Sequence, residues 1–423
     1  MQKLIKAREF IDKHKKSDRA FTRNRKLNFS LMIVLMLQKS LKSIQVILNE
    51  MVMKLNKEDT VSNSAYTQAR ANLSYTAFIE LNEESVVKIA YEDDNEIKNY
   101  KGMRVLGIDG SKIVLPNTKD VIEDFGQISY GNSKIKGKQA YGLASVMYDV
   151  LNNIAIDSEL GKAKAYEVDL AIEHLSHTKE NDLIICDRNY PSYRFLANLT
   201  KMKRNFVIRC SASSFKQARE MLKGVGGNSR IVTIRPQEAR LKKLEKELPK
   251  EIKVRFVRVE LSTGEYEVLV TNLLDEEKFS TEEFLDIYAL RWGIETFYDI
   301  IKNRLNLENF TGKTALSIKQ DFYSTIFISG LETILTSDIN LELEQKETKN
   351  KQKVNHVISF NAIKNKALDL IFAQKPLDDL LKQLEILFLT NRVQVRKNRN
   401  CERTKTTDRN TLNHIKRKQK ICY

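Results

Sequence analysis

Two aspartates and one helical stripe carry the residue types that could do chemistry. Asp109 lies inside the apolar run MRVLGIDGSKIVL (103–115), between Ile108 and Gly110, and Asp187 directly follows the tetrapeptide LIIC (183–186). A carboxylate in or at the tip of a buried strand is costly unless it is paired, hydrogen-bonded or bound to a cation. Hard cations such as Mg²⁺ take oxygen ligands and need only one or two carboxylates each. Taken alone, each aspartate could instead end its strand by starting a turn. The third element holds Tyr288, Arg291, Glu295 and Lys302, spaced Y-x2-R-x3-E-x6-K. At about 100° per residue these four share an arc of about 60° on one helix. Ile287, Leu290, Ile294, Phe297, Ile301 and Leu305 fill the adjacent arc. One stripe thus faces a core, and the stripe beside it sets an acid between two cations and a phenol. The plain alternative is a solvated face with an Arg291–Glu295 pair, in the weaker of the two i,i+4 orientations.

The elements that must hold these residues follow from periodicity. Phe29 to about Leu55 repeats apolar residues at helical spacing. A second helix is expected from Ser62 or Asn63 to Leu73, and a third capped by Ser74, so residues 1–98 read as a helical N-terminal domain. Three short helices with basic residues could be a helix-turn-helix DNA reader, or a subdomain that only packs. After Lys101 the pattern changes. Strands are expected at Met103–Leu115, Ala140–Val150 and Asn153–Leu160, with a hairpin loop at Gly131–Lys138. Tyr166–Ser176 and Tyr193–Lys203 read as helices. Leu183–Cys186 and Phe206–Arg209 read as strands, the first apolar throughout as a central strand should be. The order is β-β-β-α-β-α-β. Residues 211–272 resemble an insertion made largely of strands (229–234, 252–261, 266–272) around a basic helical stretch, Arg235–Lys250. Helix returns at Glu282–Leu305 and continues to about residue 390, with a polar break at Glu342–Lys353. The domains expected are therefore 1–98, 99–325 with the insertion at about 211–272, a helical 326–390, and a basic tail, 391–423.

Composition narrows the class. Of 423 residues, 5 are Pro and 15 are Gly, which disfavours collagenous, linker-rich and many-stranded all-β chains. The net charge of +16 is concentrated at the ends: residues 1–30 hold ten basic and three acidic residues, and residues 391–423 hold eleven and two. The 360 residues between them balance. A localised surplus of this kind attracts a polyanion, most often nucleic acid, unless the ends are merely solvated. The cysteines Cys186, Cys210, Cys401 and Cys422 form no CxxC pair, which argues against a disulfide framework and a zinc site. The apolar run Leu31–Leu37 is far short of the ~20 residues that span a bilayer. It also lacks a small-x-small cleavage site. A soluble cytoplasmic protein, associated with the nucleoid, is expected.

Asp109, Asp187 within DRNY (187–190), and the 288–302 helix resemble the DDE motif and the "YREK" signature of transposases related to insertion sequence IS4. The acid order D…D…E, the strand order and a strand-rich insertion before the third acid are also similar to the α/β, RNase H-like (retroviral-integrase-like) fold. The resemblance spans roughly residues 20–325. Asn189 stands where that family usually has Gly, and Asn tolerates the left-handed backbone better than most residues.

The resemblance implies two Mg²⁺ (or Mn²⁺) ions held by the catalytic acids Asp109, Asp187 and Glu295, serving an in-line displacement at DNA phosphorus. It implies that Tyr288, Arg291 and Lys302 grip a phosphate near the cut, and all three are phosphate donors by chemistry. It implies double-stranded DNA as partner, both transposon ends and target, bound by a homodimer. Trp292, the only tryptophan, flanks the stripe and could stack on a displaced base or pack in the core. Arg188 and Arg209 end neighbouring strands and could reach DNA, or pair with a carboxylate of the site. Lys134, Lys136 and Lys138 could line a DNA groove or sit on a solvated loop. The activity expected is cleavage at insertion-sequence ends and strand transfer. A metal-dependent nuclease on the same fold and a non-catalytic DNA-binding derivative are the alternatives. Intact Asp109, Asp187 and Glu295 argue against the last.

Overall fold

An apolar strand with no polar face can only sit at the middle of a layered structure. Leu183–Cys186 does so, with all four residues buried. The computed structural model describes residues 1–22, 26–39, 42–55, 60–92, 97–131, 136–236, 245–372 and 376–395. Nine strands form one sheet: β1 (Val105–Val114), β2 (Gln127–Gly131), β3 (Lys136–Asp149), β4 (Ile154–Lys162), β5 (Leu183–Cys186), β6 (Asn205–Cys210), β7 (Ser229–Ile234), β8 (Ile252–Glu260) and β9 (Tyr266–Thr271). The spatial order is β2-β3-β1-β5-β6-β9-β8-β7, with β4 also paired to β3. β3 runs antiparallel to both β1 and β4, whereas β1, β5 and β6 run parallel. The parallel pairs need crossovers, and Glu167–His174 and Tyr193–Lys201 supply them. This is the mixed α/β, RNase H-like arrangement that the strand order predicts.

The strands expected at 229–272 are present, but they extend the central sheet. β9 pairs antiparallel with β6, and β8 and β7 continue outward. The free edge of β6 is covered in this way, which removes an exposed row of backbone donors and acceptors. Further elements were not expected, among them the short strands Gln352–Val354 and Arg392–Gln394, which pair antiparallel where the end of a polar break and the start of the tail are expected. Lys119–Phe125 and Lys216–Leu222 are helices, and β2 pairs with the first half of β3. Lys136 and Lys138 therefore belong to a strand where a loop is expected, while Lys134 lies outside the described residues. Half of the expected helix 235–250, residues 237–244, also lies outside them, as does 396–423 of the basic tail, and the described residues 235–236 and 245–250 are not helical.

The helical regions on either side of the sheet share one apolar core with it, running from Ile5 through Val146 to Phe388. Its axis is the long helix Ala315–Gln345, opened by a Thr314–Ser317 capping box. Residues 317–332 of this helix are buried at all but one position, so it is enclosed on every side. The N-terminal helices pack on it through a buried ion pair, Arg70 Nη2 to Asp321 Oδ1 at 2.8 Å. Gln320, Thr311 and the Ser317 carbonyl take the other guanidinium protons. Among the described residues no helix is long and apolar enough to cross a membrane.

The segment expected as one helix over Glu282–Leu305 is three pieces: Glu283–Ala289, Trp292–Asp299, and a π-helical turn, Ile300–Arg304. The break at 290–291 and the wider π turn shift the phase of everything downstream. A stripe computed for a straight α-helix does not survive intact.

Candidate active site

The register of β1 and β5 decides where the two aspartates stand. Ile108 pairs with Cys186 in the parallel ladder, so Asp109 and Asp187 occupy the next position on adjacent strands. Adjacent strands lie only about 4.8 Å apart. Asp109 sits in mid-strand opposite Val146 of β3, and Asp187 at the C-terminal tip of β5, where open α/β sheets place their sites. The Asp109 carboxylate accepts from the Gly110 N–H at 2.9 Å, and that of Asp187 from the Asn189 N–H at 2.8 Å. Burial, then the neighbouring Asp187 charge, push the Asp109 carboxyl up to about 7. The Gly110 N–H and the Arg291 charge pull it back only in part.

The helix Trp292–Asp299 crosses this strand pair at close range. A Cβ on Gly107 would meet the Ile294 side chain at 3.4 Å, and one on Gly293 would meet Val150 at 2.9 Å. The small residues on both sides thus allow helix and sheet to touch. Tyr298 fixes the crossing, its hydroxyl lying 2.9 Å from the carbonyl oxygens of both Asp109 and Ala144. Lys302, one turn further on, donates to Ser111 Oγ at 2.7 Å and to the Lys112 carbonyl at 2.9 Å. Its ammonium therefore sits beside β1, two residues from Asp109.

Glu295 is turned to Arg291, whose Nη1 donates to Oε1 at 2.7 Å. Among the described residues no three Asp, Glu, His or Cys side chains are drawn together as a metal cage. Arg291 is only 5% exposed and Tyr288 only 6%. These two point inward, where the straight-helix stripe sets them beside the core on an open face. The guanidinium lies over both the Tyr288 and Trp292 rings. Two buried polar atoms here, Arg291 Nε and the Tyr288 hydroxyl, have no hydrogen-bond partner. Trp292 is half exposed at the rim. Arg188 is exposed on the turn after Asp187. Arg209 forms an ion pair with Glu267 of β9 at 2.9 Å.

Sequence reasoning missed Glu167. It opens the helix after β4 and leans over Gly110, so that a Cβ there would lie 3.1 Å from its Cγ and Cδ. Burial, and next the Asp187 charge, raise its carboxyl above the usual range. Nothing in the local pattern marks it, because it reads as one polar residue of an amphipathic helix. A second constellation has the connectivity of a nucleophilic triad: Ser145 Oγ to His174 Nε2 at 2.9 Å, and His174 Nδ1 to Asp157 at 2.6 Å. Ser145 and His174 are wholly buried, so no substrate reaches the hydroxyl, and the network braces β3 and β4 against the helix Glu167–His174.

A family model described as "Transposase DDE domain" matches residues 100–330, more than half of the chain. The chain belongs to the transposase DDE domain family. The match begins just before β1 and ends inside the long helix, so it encloses the whole sheet and both aspartates. This transposase is also similar to a solved piggyBac transposase synaptic complex with hairpin DNA, at 12% identity and a TM-score of 0.44, over 95% of this chain and 87% of that one. No curated protein matches it. As a member of the family the protein is a DNA transposase, an enzyme that cuts DNA and transfers strands, and the family uses divalent metal ions. The donor set of this transposase fits such an ion. Asp109 and Asp187 are hard oxygen donors side by side, with too few nearby cations to neutralise them.

Proposed function

We propose that this chain is a transposase of the IS4-related kind that cuts DNA at the ends of an insertion sequence and joins those ends to target DNA. Asp109, Asp187 and Glu295 are assigned as its catalytic acids. The observation that carries the reading is the ladder position of Asp109 beside Asp187, at the mouth crossed by the Glu295 helix. Asp109 and Asp187 would hold Mg²⁺ or Mn²⁺ as a pair of ions, with Glu295 turning from Arg291 to join them. When bound there, the ions would activate the attacking hydroxyl and stabilise charge on the phosphate and leaving oxygens.

The residues of the chain supply the rest. Lys302, anchored on β1, presents an ammonium two residues from Asp109 and can fix a non-bridging phosphate oxygen. Once Glu295 turns away, Arg291 frees its Nη1 as a charged donor to phosphate, in addition to the unpartnered Nε on the other edge of the guanidinium. The unpartnered Tyr288 hydroxyl lies in the same charge environment, next to Arg291 and Arg209, and adds a third donor. Trp292 stacks on a base displaced at the cut, using its exposed indole face. Arg188 meets the backbone of the same strand. Arg209 sits behind these, its charge already balanced by Glu267. Residues 1–98 are assigned to DNA binding, 99–325 to catalysis, 326–390 to a helical support and 391–423 to non-specific phosphate contacts, in a homodimer assembled on the DNA within the nucleoid.

The deciding experiment is in vitro strand transfer with end-containing duplex and Mg²⁺. Cleavage followed by joining is expected, with both steps lost in Asp109→Asn and Asp187→Asn while end binding persists. Cleavage without joining would reassign the protein as a nuclease, and full activity of Asp109→Asn would overturn the acid assignment.

A further inference from the structure

Buried acids elsewhere in this protein are met by a cation or by several short hydrogen bonds, as Asp149 is by Tyr91, the Asn152 amide and the Leu151 and Asn152 N–H groups. Asp321 has Arg70, Asp182 has Arg104, Asp157 has His174, and Glu332 accepts from Ser359 and His356. Glu167 departs from that pattern. Its closest polar contact is the Asn189 amide, Nδ2 to Oε2 at a long 3.5 Å. Asn189 belongs to the turn that follows Asp187, and Gly110 follows Asp109, so the Glu167 carboxyl lies between the neighbours of both aspartates. A third carboxylate leaning into two others costs free energy unless something positive joins them. Lys112 is the cation that acts on Glu167, and it offsets only part of this.

A separate observation points the same way. Tyr190, in the same turn, is wholly buried, and its hydroxyl has no hydrogen-bond partner. The charged side chains acting on that hydroxyl are Asp109 first and then Glu167. An orphaned buried hydroxyl forfeits the hydrogen bond it would make with water. Within the electrostatic reach of both carboxylates and bonded to neither, it is a donor available to a water held by a cation among them.

We propose that Glu167 is a fourth acid of the metal centre, facing the ion that Asp109 and Asp187 hold, with Tyr190 as the hydrogen-bond donor that orients it. This rests on the reading of Asp109 and Asp187 as metal ligands. The glycine at 110 then has a function: it is the gap through which the Glu167 side chain reaches the strand. The roles of the two glutamates also separate. Glu295 is held by Arg291 and joins the centre on rearrangement, whereas Glu167 already stands over the strand.

The test is Mn²⁺ binding to the full-length protein, followed by calorimetry and by the electron paramagnetic resonance of the free ion. Glu167→Gln is isosteric and keeps the Asn189 contact, so its melting temperature without metal should equal or exceed that of wild type. Its Mn²⁺ affinity should fall about tenfold to hundredfold, the range seen for carboxylates that support a metal site. Gly110→Ala, which pushes the same side chain aside, should reproduce the loss, and Tyr190→Phe should show a smaller one. Asp109→Asn serves as the control for the parent reading and should abolish binding. If Asp109→Asn loses Mn²⁺ while Glu167→Gln and Gly110→Ala bind as wild type, the fourth-acid proposal alone is wrong. If Asp109→Asn also binds normally, the metal assignment fails and the proposal falls with it.

Discussion

Asp109→Asn should make the metal-free protein more stable at neutral and mildly alkaline pH, although it destroys the proposed activity. Burial and the Asp187 charge lift the Asp109 carboxyl from 3.8 to about 7. The folded state therefore keeps this proton to a higher pH than the unfolded chain does. Between about pH 4 and pH 7 the folded protein binds more protons, so stability falls as pH rises through that window, and the full cost is present above it. Three pKa units at 1.36 kcal/mol each set a ceiling of about 4 kcal/mol. Repelling side chains relax apart, so a measured gain of roughly 1–2 kcal/mol is expected for the variant at pH 8. Asn retains the oxygen that accepts from the Gly110 N–H at 2.9 Å, so the local backbone has no reason to change. Urea unfolding in EDTA at several pH values would read this directly. The two proteins should have similar midpoints near pH 4 and diverge toward pH 8, and millimolar Mg²⁺ should then stabilise wild type but not the variant. A variant no more stable than wild type at pH 8 in EDTA would refute the picture of an overcharged, cation-seeking pair.

Arg291→Ala removes the partner of Glu295 and the guanidinium donors assigned to phosphate, so it should lower both end binding and cleavage; normal affinity and cleavage with only a lower melting temperature would confine Arg291 to bracing Glu295. Arg70→Met strands the buried Asp321, and urea unfolding should show a loss of about 3–5 kcal/mol that Arg70→Met/Asp321→Leu largely restores. Deleting 391–423 should weaken binding to end and random DNA alike, and if the segment makes three phosphate contacts the slope of log affinity against log salt should flatten by about 2.7. An unchanged slope would make the segment a solvated appendage, and a loss specific to end DNA would make it a reader of sequence.

Local pattern alone determined much of this protein. LIIC is a strand at the predicted bounds because four consecutive apolar residues have no other burial, and the strands β1, β3, β4, β6, β7, β8 and β9 follow from the same short-range logic. The candidate acids Asp109 and Asp187 were legible because a carboxylate in an apolar strand is conspicuous. Tertiary structure decided what sequence spacing cannot encode. The pairing of Ile108 with Cys186 is a register between segments more than 70 residues apart, and a shift by one residue would send the aspartates to opposite faces. Tyr288 and Arg291 are buried on either side of the helix interruption at 290–291, and Lys302 lies in a π turn after Asp299, irregularities that residue spacing does not encode. The strands of the insertion were visible as strands, but only the free edge of β6 made them part of the central sheet. Glu167 was invisible for the same reason. Its significance lies in a glycine 57 residues earlier that leaves room for it beside Asp109, and proximity of that kind exists only after the chain has folded.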